Sequence, residues 1–418
     1  MTADPGVSKP APARRPTEMG IEGVRGVAAL MVAMSHLFYL DLLTPAWKLP
    51  PWLHSLEGGH AGVLTFFVLS GYVIGWTNSG AFTPDAGRSY VWRRLVRLAP
   101  IYQVAMIVTL AVIWFTGLSE SPRVIVGSFL GLQNFNGYFG FSLDPPLVNG
   151  PLWSLNYELL YYGLFLILWR RNPKAAWVFG PALLAGMLGW FAPRFMPLFL
   201  ASYACGWLFW AVGWWLSRQP LLDRGSSDPQ PVASWVLLIF ASHEIGGVTR
   251  VLNVLGWYSN DAGMCAIADL GLMPSILLAL AAVAHRRLPG RRRISVLAWA
   301  VCVIPMIGMV MTGRLLGNPG WVNGSVAVVL AAVLLPFRST NWLRPLAWFG
   351  GISYAFYVLH FPLLYFVQFL PLPKAAAIGF FARLPIWVAL TLGLSWLLER
   401  RFQPWIKRRL VPSLNPLS

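Results

Sequence analysis

The fold class of this chain can be read from one stretch, IEGVRGVAALMVAMSH, which covers Ile21–His36. The stretch is apolar enough for a membrane, yet it contains Arg25 in its first third and His36 at its end. A charged side chain near the centre of a bilayer costs roughly 2.5–3.5 kcal/mol on insertion scales. We therefore expect a membrane helix whose two ionisable side chains have partners or a function that offsets this cost.

The rest of the chain has the same apolar character. Its 418 residues are 57% hydrophobic and only 11% charged, whereas soluble domains carry about 25% charged residues. Apolar runs of about 18–25 residues recur, which is typical of a polytopic helical membrane protein. We predict an all-α transmembrane bundle of about 10–12 helices. The candidate segments are 21–43, 61–80, 98–118, 151–169, 174–192, 197–217, 231–248, 262–284, 294–313, 321–337, 346–370 and 374–398.

The distribution of positive charge predicts the orientation of the bundle. The net charge of +17 is spread over short clusters between the apolar runs, so it does not indicate binding to nucleic acid. With the N-terminus inside, most Arg and Lys residues fall on the cytoplasmic side, which is the positive-inside pattern. We therefore predict a multi-pass protein of the cell membrane with both termini in the cytoplasm. Residues 1–18 would be a disordered tail, 19–400 the membrane domain and 401–418 a basic tail.

No metal site is expected. His54, Glu57 and His60 are spaced three apart, but they lie in a glycine-rich loop after prolines, and their order is not that of a zinc hydrolase helix. The three cysteines lie in apolar stretches without metal-ligand spacing; they are Cys205, Cys265 and Cys302.

Arg25 and His36 lie on one face of the first helix. Eleven residues correspond to about three turns plus roughly 20°, and to about 16 Å along the axis. Arg25 would then lie near the cytoplasmic end and His36 near the middle of the membrane. Helix–helix packing with a structural hydrogen bond is the alternative interpretation of His36.

The stretch YVWRRLVRLAP, Tyr90–Pro100, places Arg93, Arg94 and Arg97 at the predicted start of the third helix. Guanidinium groups on one helical turn match the geometry of phosphates, so a phosphorylated cytosolic donor could bind here. The positive-inside bias alone is the alternative explanation.

The stretch PLWSLNYELLYY, Pro151–Tyr162, places Glu158 about two turns into an apolar helix, with Trp153 and Ser154 just above it. Such a carboxyl is costly in a membrane without a partner. The alternative is an aromatic belt with one structural carboxyl. The preceding loop, 119–150, is predicted outside, and its Asn134, Asn136 and Asn149 suit a sugar-like compound.

Two more stretches complete the pattern. GGHAGVLTFFVLSGYVIGW contains Ser70 and Gly71 in mid-helix, where small residues permit close helix packing. FGGISYAFYVLHFPLLY places Tyr357 and a second histidine, His360, inside a late helix. Either histidine alone could be structural.

Taken in order, these stretches resemble the membrane acyltransferase family 3, the O-acyltransferases of bacterial glycans and secondary metabolites. The matching motifs extend from Glu22 to Pro362. The resemblance implies transfer of an acyl group, commonly acetyl, from acyl-CoA to a hydroxyl. Acyl-CoA would be a co-substrate rather than a permanently bound cofactor, and the other partners would be the carbohydrate or other hydroxyl acceptor and the lipid bilayer.

The resemblance also implies roles for individual residues. An arginine and a histidine separated by ten residues on the first helix are essential in this family, and Arg25 and His36 match them. Arg94 and Arg97 match the paired arginines thought to help hold acyl-CoA. The glutamate of the tryptophan–serine–leucine motif matches Glu158. This chain departs from the family in having Glu22 where aspartate is common and in the Asn156–Tyr157 pair.

Combining both lines, we expect His36 to be the general base, since imidazole is neutral near pH 7. Glu158 would orient His36 or bind the acceptor's hydroxyls. Acyl-CoA would be held by Arg25, Arg93, Arg94 and Arg97. The acceptor-side or supporting residues would be Ser70, Trp153, Ser154, Asn156, Tyr357 and His360. A proton-coupled transporter or flippase is the alternative function, since buried Arg, His and Glu also occur there.

Overall fold

The computed structural model describes residues 16–39, 43, 49–134, 143–222, 230–257, 264–373 and 376–410. Within these ranges the regular structure is helical, apart from one isolated antiparallel bridge between Leu221 and Arg286. Most of the predicted N-terminal tail, the end of the predicted basic tail and Asn136 lie outside the described residues.

Twelve longer helices occur in the described ranges, and every predicted segment overlaps one of them. They are α1 (Pro16–Tyr39), α2 (Gly59–Thr77), α3 (Pro84–Thr116), α4 (Trp153–Arg171), α5 (Ala175–Phe191), α6 (Leu198–Ser217), α7 (Val232–Ile245), α8 (Met273–Val283), α9 (Arg291–Met311), α10 (Pro319–Val333), α11 (Ser353–Gln368) and α12 (Ala376–Leu397). Short helices or turns of helix fill the connections at Pro51–His54, Pro122–Phe129, Leu147–Leu152, Pro193–Phe195, Gly247–Val254, Ile267–Leu272, Leu315–Gly317, Leu343–Gly350, Leu398–Phe402 and Gln403–Leu410.

The length and composition of these helices confirm an all-α polytopic membrane bundle. In the described part of the chain, seven helices are long and apolar enough to cross a membrane, and one bent pair would make an eighth. Three shorter apolar helices, at Ala175–Phe191, Ile267–Val283 and Pro319–Val333, accompany them. The direction of α1 defines the two ends of the bundle: α1 begins at the near end and finishes at the far end.

Helix α3 starts fourteen residues earlier than the apolar run predicted. Thr83 caps it, with a side-chain oxygen that accepts the Ala86 N–H at 3.2 Å, and Pro84 occupies the first turn. Both features favour a helix start. The arginines of α3 are therefore anchored inside a 33-residue helix rather than at its frayed beginning.

The predicted segment 346–370 is not one helix. Leu343–Gly350 and α11 meet at an angle of 75°. The break falls at Gly350 and Gly351, where glycine weakens a helix interior. Because of this bend, Leu343–Gly350 packs against α1 while α11 passes between α1 and α3.

The predicted outside loop, 119–150, is partly helical. It contains the helix Pro122–Phe129 and leads into the helical turn Leu147–Leu152. Asn134 and Asn149 are buried rather than exposed to a ligand. Asn149 donates to Thr109 Oγ1 at 2.9 Å, so its amide fixes the loop to the bundle. Their burial gives no support to the suggestion that these two residues suit a sugar-like compound, which stays a prediction.

Close packing of α2 against α6 fixes the wall that carries Ser70. A Cβ atom added to Gly71 would overlap the Trp210 carbonyl oxygen, and one added to Gly213 would overlap the Val68 carbonyl oxygen. The two backbones can approach this closely only because both positions are glycine. The predicted role of Gly71 in close helix packing is confirmed.

Candidate active site

A polar cavity of about 260 Å³ lies between α1, α2, α3, α4 and α11. Its wall combines cationic, carboxyl and hydroxyl groups inside a membrane domain. Among the predicted site residues, those that line it are Arg25, Ser70, Arg94, Arg97, Ser154, Glu158 and Tyr357. The predicted residues that do not line it are His36, Arg93, Trp153, Asn156 and His360.

Arg25 has a carboxylate partner in its own helix. Its Nη1 lies 2.6 Å from Glu22 Oε1, and both side chains are partly exposed. The pair offsets the cost of placing Arg25 in an apolar helix. Arg25 therefore reaches the cavity with a charge that is partly compensated.

Two of the three α3 arginines are also held by other residues. Arg93 points away from the cavity, where it donates to Ser89 Oγ at 2.6 Å and to Asn78 Oδ1 at 3.2 Å. Arg97 forms a two-pronged ion pair with Glu399, at 2.8 and 3.0 Å. Glu399 was missed at the sequence level because it lies beyond the last predicted helix.

Arg94 differs from its two neighbours. It makes no hydrogen bond with any described residue, and its buried Nε atom lacks a partner. Its guanidinium carbon lies 5.7 Å from the centre of the Tyr90 ring and 5.9 Å from that of Tyr162. A cation that is held by aromatic faces and keeps its donors free is suited to bind an anion.

We expect the Arg97–Glu399 pair to contribute to stability rather than to ligand binding. Removing one partner of a buried pair costs roughly 3–5 kcal/mol, and less here because 38% of the Arg97 side chain is exposed. Glu399→Leu should therefore lower the melting temperature in detergent. The double variant Arg97→Met/Glu399→Leu should recover part of the loss, because neither charge is then left unpaired. An unchanged melting temperature in Glu399→Leu would show that the pair contributes little.

Glu158 faces the cavity and not the histidines. Its Oε1 accepts the Ser70 hydroxyl at 2.7 Å and the Tyr162 hydroxyl. Among the described residues, no hydrogen bond joins Glu158 to His36. The carboxyl instead fixes Tyr162, whose ring lies beside the Arg94 guanidinium. Tyr162 was not recognised from sequence, since one tyrosine among many in an apolar helix carries no distinctive signal.

The two membrane histidines pair with each other. His36 Nδ1 lies 2.8 Å from His360 Nε2, and their rings stack with centroids 5.1 Å apart. His360 Nδ1 lies 2.7 Å from the Tyr357 carbonyl oxygen. His360 is fully buried, whereas His36 is half-buried.

These hydrogen bonds assign the tautomers of both rings. A carbonyl oxygen can only accept, so His360 carries its proton on Nδ1. When His360 is neutral, its Nε2 can only accept, and His36 must donate from Nδ1. The lone pair of neutral His36 is therefore on Nε2, which is the arrangement a general base requires.

Tyr357 connects the cavity to the histidine pair. Its hydroxyl donates to the Pro151 carbonyl at 2.8 Å and lies 2.6 Å from Ser154 Oγ. The same residue lines the cavity and holds His360 through its carbonyl oxygen. The histidine pair thus lies directly beyond the cavity wall, on the side towards the far end.

Trp153 and Asn156 lie outside this wall. Asn156 donates to the Gly131 carbonyl at 2.5 Å and accepts the Tyr203 hydroxyl, so both ends of its amide are occupied by the protein. Trp153 packs edge-on against Tyr157, with ring centroids 5.2 Å apart. The two hydrogen bonds of Asn156 connect α4 to Gly131 and to α6, so Asn156 supports the packing of the protein.

Two known proteins are similar to part of this chain. The peptidoglycan O-acetyltransferase OatA of Listeria monocytogenes is 31% identical over 175 residues, which are 37% of this chain and 25% of that protein. BcsY of Komagataeibacter xylinus, named as a membrane-bound transacylase, is 27% identical over 158 residues, 35% of this chain and 36% of that protein. The chain thus matches well under half of the length of either relative. No solved structure matches.

A family model covers far more of the chain than either relative does. The model of the acyltransferase domain, acyltransferase family 3, matches residues 19–400. That range includes all but the first three residues of α1, all of α2 to α12, the cavity and the histidine pair. The chain is therefore a multi-pass membrane protein that belongs to acyltransferase family 3.

Proposed function

We propose that this protein, in the cell membrane, transfers an acyl group, commonly acetyl, from cytosolic acyl-CoA to a hydroxyl of a glycan or glycosylated small molecule. Acyl-CoA is a co-substrate and no cofactor is held between turnovers. The observation that carries this proposal is a pair of successive hydrogen bonds. His36 Nδ1 donates to His360 Nε2, and His360 Nδ1 donates to the Tyr357 carbonyl oxygen. These two hydrogen bonds leave His36 Nε2 as the basic nitrogen of the pair, and no described residue donates a hydrogen bond to its lone pair.

The two relatives support the class of reaction. One is named for acetyl transfer to an oxygen of peptidoglycan and the other for transacylation. Both names describe acyl transfer by a membrane protein. They favour a hydroxyl acceptor, and the first favours a glycan.

In the proposed reaction, His36 Nε2 removes the proton from the acceptor hydroxyl while the oxygen attacks the thioester carbonyl. The tetrahedral intermediate collapses, the C–S bond breaks, and the CoA thiolate takes the proton back from His36. The products are an ester and free CoA thiol. His360 keeps the His36 lone pair directed at the acceptor and touches neither substrate.

The donor occupies the cavity from the near end. Arg94 binds a phosphate of CoA, and Arg25 adds positive charge further along α1. The pantetheine arm then covers the distance of about 16 Å between Arg25 and His36. With the N-terminus in the cytoplasm, as the charge pattern predicts, this end faces the cytosol and the acceptor approaches from the far end.

Glu158 belongs to the donor side in this proposal. Its hydrogen bonds to Ser70 and Tyr162 shape the cavity beside Arg94. The role of orienting His36 falls to His360, because His360 is the residue that bonds to it.

A test of the function uses purified protein in nanodiscs with acetyl-CoA. Release of free CoA thiol that accelerates when hydroxyl acceptors are added is the expected result, and a chromogenic thiol reagent measures it. A transporter or flippase predicts that acetyl-CoA stays intact under all conditions, which would exclude the proposal.

The role of His360 can be tested separately. His360→Leu removes the acceptor for the His36 N–H and should lower kcat, with little change in the acyl-CoA KM. A lost hydrogen bond of about 1–3 kcal/mol corresponds to roughly 5- to 150-fold. His360→Gln keeps an accepting oxygen near the position of Nε2 and should retain more activity than Leu. Equal kcat for both variants and wild type would remove His360 from the mechanism.

A further inference from the structure

A second pair of ionisable side chains lies at the far end of the bundle, outside the cavity. His60, at the start of α2, places Nε2 at 3.0 Å from Asp269 Oδ2, in the turn before α8. The side chains are 25% and 20% exposed, respectively. The ring of His243, near the end of α7, lies 6.0 Å from the His60 ring. The proposed reaction uses none of these residues.

Asp269 is held so that one oxygen is occupied and the other is free. Its Oδ2 accepts both the His60 ring and the Ala266 backbone N–H, the latter at 2.7 Å. No hydrogen bond to Oδ1 is found within the described residues. A fixed, partly exposed carboxylate with one free oxygen can accept hydrogen bonds from hydroxyl groups.

An aromatic ring lies next to this pair. The Trp153 and His60 rings are nearly parallel, at 24°, with centroids 6.4 Å apart. A tryptophan ring offers a large apolar surface, which suits the C–H face of a sugar. The cluster therefore combines the two kinds of group that a sugar ring needs, a flat apolar surface and a hydroxyl acceptor.

The cluster also lies beside the proposed base. Helix α2 begins against α1, since a Cβ added to Gly59 would lie 2.8 Å from the Cβ of Ser35. Gly59 precedes His60, and Ser35 precedes His36. On the other side, Ser154 follows Trp153 and contacts Tyr357, whose carbonyl holds His360. The cluster and the histidine pair thus occupy the same end of the bundle, and Ser154 and Tyr357 connect Trp153 to His360.

A purely structural pair between α2 and the turn before α8 is the alternative explanation. A partly exposed ion pair contributes little net stability, because desolvation and screening by solvent offset its attraction. A structural pair would also not require the exposure of both side chains or the free Oδ1.

We propose that His60, Asp269 and Trp153 form the subsite that binds a sugar ring of the acceptor next to His36. This inference rests on the proposed acyl transfer and adds the residues that hold the acceptor's sugar ring. Asp269 accepts sugar hydroxyls, His60 keeps its carboxylate in place, and Trp153 packs against the ring. The subsite holds one sugar hydroxyl within reach of His36 Nε2.

The test uses acetyl-CoA with methyl glycosides of glucose, galactose, mannose and N-acetylglucosamine. Wild-type protein should transfer acetyl to at least one of them. Asp269→Asn and Trp153→Leu should raise the KM for that glycoside by roughly tenfold or more, since a hydrogen bond to a charged group is worth about 1.5–3 kcal/mol. The slow hydrolysis of acetyl-CoA by water should stay at the wild-type rate in both variants, because water does not need the subsite.

Glu244→Gln is the matched control. Glu244 is another carboxyl at the far end, and it accepts the Glu57 backbone N–H at 2.9 Å. The glycoside KM of this variant should stay unchanged. A structural role for Asp269 would instead lower the melting temperature and reduce glycoside transfer and hydrolysis alike, which would overturn the subsite.

The outcomes also separate this inference from the proposed function. Thiol release without transfer to any of the four glycosides would overturn the sugar subsite and leave acyl transfer standing. The absence of thiol release from wild type under all conditions would overturn both.

Discussion

His36→Gln is expected to lose acyl transfer by roughly 100- to 10,000-fold, the range for removal of a general base. Glutamine keeps a hydrogen-bonding group that can reach His360, but it has no basic nitrogen. The binding of acyl-CoA should stay close to that of wild type, because Arg94, which we propose binds a phosphate of CoA, lines the cavity and His36 does not. The rate of thiol release with acceptor measures the first effect, and calorimetric titration with acyl-CoA measures the second.

His54→Gln provides the matched control for this variant. His54 ends the short helix Pro51–His54 and does not belong to the His36–His360 pair, so the same chemical change should leave turnover unchanged. If His36→Gln instead turned over at a near-normal rate, His36 would be structural. His360, the other member of the pair, would then be the candidate base.

The helices and the face shared by Arg25 and His36 could be predicted because both depend on local periodicity. The length of an apolar run indicates a span, and the angle of about 100° per residue fixes which side chains share a face. Both kinds of information are contained within one segment. The start of α3 and the break before α11 were missed because the prediction followed hydropathy. At these two places the cap at Thr83 and the glycines Gly350 and Gly351 determine where a helix begins or ends.

Hydrogen bonds and ion pairs between side chains of different helices could not be predicted from the sequence. His36 and His360 are 324 positions apart, and Arg97 and Glu399 are 302 apart. Nothing in a single sequence sets the rotation of one helix against another. The sequence therefore identified both histidines as candidates without showing that they bond. It left Glu158 with two possible roles, orienting His36 or binding the acceptor, whereas in the structure the residue bonded to His36 is His360.

The same limit applies to the three arginines of α3. In sequence they are equivalent cations within about one turn of the same helix. In the structure, Arg93 turns away and Arg97 is paired with Glu399, while Arg94 has no hydrogen-bond partner among the described residues and lines the cavity. Which arginine is available depends on where a distant carboxylate lies, and a local pattern cannot contain that information.

Arg94→Met is accordingly expected to weaken acyl-CoA binding by roughly 10- to 150-fold, which corresponds to the loss of one charge-assisted hydrogen bond of about 1.5–3 kcal/mol. Methionine keeps an unbranched stem that can pack between Tyr90 and Tyr162. Titration of acyl-CoA into protein in nanodiscs measures the change. The difference from wild type should shrink at high salt, because ions screen the attraction between the guanidinium and the phosphate.

Arg93→Met is the control, since it removes an adjacent cation from the same helix with the same substitution. It should leave the affinity for acyl-CoA unchanged, because Arg93 lies outside the cavity lining.

Arg97→Met is less informative, because it leaves the carboxylate of Glu399 buried without its partner and lowers stability. Arg94→Met avoids this problem: Arg94 has no hydrogen-bonded partner among the described residues, so its removal leaves no group unpaired and should not lower the melting temperature. Equal losses of affinity in Arg93→Met and Arg94→Met would mean that the general positive charge of the near end, and not Arg94, attracts the donor.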